Sequence, residues 1–103
     1  TAGGTTVLLT GDRHVGGVYT TDDGLVEATA SSWTHTVPGT CRNAAACDEP
    51  GPNRIGNLVR ENHFGMLEID WTARQAVVSL LGATIAGEVL VNHTIPIRAA
   101  RQL

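Results

Sequence analysis

The stretch VLLTGDRHVGGVY, residues 7 to 19, sets a carboxylate and an imidazole two positions apart at the end of an apolar run. In an extended chain, residues i and i+2 share a side. Asp12 and His14 could therefore offer an oxygen and a nitrogen donor to one cleft. Both donor types suit zinc, iron or manganese. Gly11 permits a sharp exit from a strand, and the following Gly16 and Gly17 would let backbone approach a metal or a phosphate. Arg13 and Arg54 could meet phosphate, with surface arginines as the plainer alternative. Two ligands do not complete a site, because catalytic zinc usually takes three from protein. The bland alternative is an Asp that accepts from nearby backbone amides, next to a surface His.

Other chemistry is sparser. Cys41 and Cys47 enclose five residues. A bridge there would add about 2.4 kcal/mol by loop entropy and would imply an oxidising, secreted or periplasmic, compartment. Two free thiols are an equal alternative. Their spacing is wider than that of a zinc pair. Asn62 and His63 read as strand-entry residues, and Trp33 and Trp71 as core or cleft-wall residues. Asn92–His93–Thr94 is a formal glycosylation acceptor inside an expected strand.

The elements that must position these residues are strands. TVLLT, 6–10, reads as a buried strand, and GLVEATASS, 24–32, as a second that fades into small polar residues. Residues 33–62 hold three of the four prolines and both cysteines, and read as a long loop excursion with a helical turn near 54–60. HFGMLEIDW, 63–71, alternates, with Phe64, Met66 and Glu68 on one side and Leu67, Ile69 and Trp71 on the other. RQAVVSLLG, 74–82, and GEVLVNHTIPI, 87–97, follow after short turns. Short connections predict that these three pair in sequence as an antiparallel meander. The segment QAVVSLL could also pass as a buried helix.

Composition excludes several function classes. The chain has 103 residues, a single-domain length. Net charge is −3 and no basic patch exists, which argues against electrostatic nucleic-acid binding. No apolar run approaches a membrane span. No signal peptide is visible, and the missing initiator Met predicts a processed chain or a fragment.

VLLTGDRHVGGVY, LVEATASSWTH and NRIGNLVRENHFGMLEIDW, in this order and spacing, resemble the C-terminal part of alkaline-phosphatase-D-like (PhoD-like) metallophosphoesterases of the calcineurin-like superfamily. The resemblance covers the first 70 to 90 residues or so. It implies an α/β four-layer metallophosphatase sandwich, with helices outside two mixed sheets. This chain would be its mostly β C-terminal fragment, antiparallel strands of one sheet plus the long loop. Gly11–His14 would be the last metal motif, with Asp12 and His14 at two metal ions (zinc, manganese, iron or calcium). His35 would lie in a loop near the cleft, with a substrate contact or a structural role. The implied activity is metal-dependent hydrolysis of phosphate monoesters or diesters. The partners are a phosphoester substrate and the N-terminal half of the same domain, because the upstream metal motifs do not precede Gly11. A rival registration takes Asp12–His14 as the family's first motif and ENHF, 61–64, as an Asn-His motif. A non-enzymatic alternative is a small secreted β-rich binding module that recognises through its Cys41–Cys47 loop.

Overall fold

A computed structural model describes residues 4–33, 51–83 and 87–98. His35, Cys41 and Cys47 lie outside the described residues, so the expectations placed on them have no structural account. Among the described residues there are seven strands and no helix. These are β1 (Val7–Thr10), β2 (Gly16–Thr20), β3 (Val26–Ala30), β4 (Arg54–Val59), β5 (His63–Asp70), β6 (Gln75–Gly82) and β7 (Glu88–Pro96).

They form two sheets. One is four-stranded and mixed, in the order β1-β3-β2-β4, and the other is three-stranded, β5-β6-β7. In the first, β1 runs parallel to β3, while β2 is antiparallel to both β3 and β4. The second is antiparallel throughout, from His63↔Gly82 to Asp70↔Gln75 and from Gln75↔Pro96 to Gly82↔Glu88. The expected meander over 63–71, 74–82 and 87–97 is therefore present. QAVVSLL is a strand and not a helix, because its alternation places Ala76, Val78 and Leu80 together in the core.

Three expectations are corrected. The α/β four-layer sandwich is overturned: the described chain is an all-β unit of two sheets. The helices of that architecture came from the resemblance, and no described segment carries a helical apolar stripe. Antiparallel strands of one sheet become two sheets, one containing the parallel pair β1–β3. The helical turn near 54–60 is the strand β4, which pairs with β2 around a bulge between Gly16 and Val18. Gly56, at φ +70°, lies in the bulged stretch, where its missing Cβ makes a left-handed backbone inexpensive.

The core lies between the sheets. Val18, Val26, Ala28 and Val59 from one sheet meet Ala76, Val78, Leu80, Val91 and Ile95 from the other. Val18 and Leu80 are wholly buried, and each such side chain contributes roughly 1.5–3 kcal/mol relative to exposure. β3 faces β5, β2 faces β6 and β7, and β4 faces β7. β1 packs against β3 at the sheet edge, leaving Leu8 and Leu9 exposed. Below it a groove of ≈ 260 Å³ runs between the sheets, lined by Leu9, Thr10, Ala28, Met66, Leu67 and Val78 among others.

Candidate functional site

One end of the mixed sheet gathers the polar residues. There β1 and β3 end and β2 begins, so the carboxyl ends of the parallel pair open onto the turn Gly11–Val15. The Ser31 side chain ties the turn to the end of β3. Ser31 donates its hydroxyl to the Val15 carbonyl at 2.8 Å and accepts from the Val15 N–H at 3.3 Å. Gly16 then pairs with Ala30 on one side and Val59 on the other. The end of β4 brings in Arg60, and His63 at the start of β5 donates its backbone N–H to Ser32 at 2.9 Å.

Asp12, Arg13 and His14 are all exposed at this end, and Val15 is the first buried residue after them. The extended geometry expected for Asp12 and His14 is not what the chain adopts. Both are left-handed, at φ +78° and +59°. The i, i+2 same-side relation of an extended strand therefore does not apply to them. For L-residues this region costs roughly 1–2 kcal/mol per residue. Asp tolerates it better than most, whereas two such non-glycine residues in one short turn form a local reservoir of strain. At Gly11 an added Cβ would sit 3.7 Å from the Ser31 Cβ, an ordinary contact, so the turn has room for a small side chain there.

Among the described residues no group of three or more His, Cys, Asp or Glu side chains could hold a metal ion. Asp12 and His14 alone are too few to make a catalytic metal site. Their oxygen and nitrogen chemistry and their exposure suit the role of ligands. Neither residue lines the groove between the sheets. Arg54, expected as a surface arginine, is half-buried at the start of β4.

Two features escaped sequence reasoning. His63, expected as a strand-entry residue, does open β5 but is almost wholly buried, at 1% exposure. Trp33 is exposed and packs edge-to-face on Phe64, with ring centroids 5.4 Å apart at 74°. The sequence signal for His63 was ENHF, where a His precedes an aromatic at a strand start. Nothing local marks Trp33 as an aromatic platform. No helix among the described residues is long and apolar enough to cross a membrane. No family model, curated protein or solved structure matches the chain.

Proposed function

We propose that this chain supplies the Asp12 and His14 ligands of a metal-dependent phosphoester hydrolase. The observation that carries the proposal is the exposed, strained Asp-Arg-His turn at the carboxyl ends of two parallel strands. The PhoD-like resemblance of the same residues supports it, and so does the exposure of Gly11–His14.

In this proposal the Asp12 carboxylate and the His14 imidazole each donate to a metal ion, with the remaining ligands coming from another part of the same catalytic unit. A bound metal would supply Lewis-acid polarisation of the phosphoryl group and an activated water. Arg13, between the ligands, would offset negative charge on the phosphoryl oxygens. Ser31 would hold the turn through both backbone groups of Val15.

The test is a zinc or manganese titration of the 103-residue chain, followed by NMR at His14. Metal should shift the His14 ring resonances, and Asp12→Asn should weaken that response. A phosphodiesterase assay on a chromogenic diester should give no more than trace turnover from the chain alone. A His14 signal indifferent to every metal added would overturn the proposal.

A further inference from the structure

His63 is the one described histidine buried beneath the candidate ligand turn. Its Nδ1 lies 2.8 Å from the Glu61 carbonyl oxygen. A carbonyl only accepts, so Nδ1 carries the proton and donates, and the ring orientation is fixed. In the neutral ring Nε2 is then a lone pair, and among the described residues it has no hydrogen-bond partner. A buried acceptor left unmade is costly. Such a group in a folded protein calls for an explanation.

What the ring does touch is Gly16. A Cβ built there would fall on Nε2 of His63, with Cε1 at 2.8 Å and Cδ2 at 2.9 Å. The imidazole therefore occupies the space a side chain at residue 16 would need. Gly16 is held on both sides, by Ala30 and Val59. It follows His14 by two residues. The His63 backbone meanwhile is bonded to Ser32, next to the serine that fastens Val15. Ring and backbone of one residue thus brace both sides of the turn's root.

We propose that His63 is a positioning residue for the Gly11–Val15 turn, acting through Gly16. Its value for metal binding rests on the proposed role of Asp12 and His14. Its action on the turn does not.

The experiment compares Gly16→Ala, His63→Ala, the double variant and His63→Asn in the 103-residue chain. Asn retains a donor for the Glu61 carbonyl but withdraws the ring from Gly16. Amide hydrogen exchange is read at residues 12–15 and, as an internal reference, at 78–80 in β6. His63→Ala and His63→Asn should speed exchange at 12–15 at least tenfold more than at 78–80. Gly16→Ala should do the same, and the double variant should be closer to wild type than Gly16→Ala alone, because loss of the imidazole leaves room for the new methyl. Equal acceleration at the turn and in β6, or strictly additive effects, would overturn the proposal. If Gly16→Ala fails to fold, His63→Asn decides: an unchanged turn refutes positioning. A parallel zinc titration should show at least tenfold weaker binding at His14 in His63→Asn. Absence of any zinc response in wild type would count against the metal role alone, and the exchange data would still judge the positioning role.

Discussion

At the residue scale, the turn spends stability to hold two polar side chains in left-handed backbone. Replacing Asp12 by Gly removes the Cβ penalty but adds freedom to the unfolded chain, so a net gain on the order of 0.5 kcal/mol is expected. Urea unfolding should report that gain, and metal titration should report the lost donor. A variant that is less stable than wild type would show that the Asp12 side chain holds the turn. The residue types Asp12 and His14 were legible in the sequence, because their chemistry is intrinsic. Their backbone was not, since it depends on Ser31, distant in sequence, fastening Val15. His63 was rightly read as a strand-entry residue, but its burial was not legible for the same reason: its contact is Gly16, and no local pattern announces a glycine that leaves room for a ring.

At the element scale, β6 is the stabilising centre, paired on both sides and buried over most of its length. Leu80→Ala should cost about 2–5 kcal/mol. Ile69→Ala on β5, where the side chain is 43% exposed, should cost well under 1 kcal/mol, near the surface norm. Chemical denaturation of both variants checks the contrast, and equal losses would mean that the core is misplaced. The β2–β3 hairpin carries a pH-sensitive feature. The Thr21 hydroxyl donates to the Asp23 carboxylate, and with backbone N–H bonds from Asp23 and Leu25 this holds the carboxyl below its ordinary value. A lowered folded-state pKa contributes stability above the unfolded value of about 4 that is lost as pH falls through the folded pKa. The stability gap between wild type and Asp23→Asn should therefore be flat from pH 5 to 7 and shrink below about pH 4. A gap constant down to pH 2 would remove the carboxylate as its source. The meander β5–β6–β7 was readable from alternation and short turns. β2 and β4 were not, because Gly16, Gly17 and Gly56 are poor strand formers made into strands by pairing partners alone. The outer helices of the expected sandwich had no support in the residues themselves.

At the scale of the whole molecule, β1 and β5 both end their sheets, and exposed Leu8, Leu9, Met66, Ile69 and Trp71 lie on these two strands or just past β5. Unpaired apolar edges invite another strand. The chain alone should associate as concentration rises, and Leu9→Lys should reduce this, as light scattering coupled to gel filtration would measure. A wild-type chain monomeric at every concentration would show that the edges are self-sufficient. A last feature bears on how the molecule comes together in time. Thr5, just ahead of β1, donates its hydroxyl to the Pro96 carbonyl at 3.1 Å and accepts from the Arg98 N–H at 2.8 Å, across sequence separations of 91 and 93. Closing a loop that long costs more chain entropy than forming a hairpin, and contacts so distant form late. The meander can assemble from neighbours in the chain, whereas β1 must wait for both β3 and the end of β7. Thr5→Ala should therefore leave the folding rate nearly unchanged and accelerate unfolding, so that only the unfolding arm of its chevron moves.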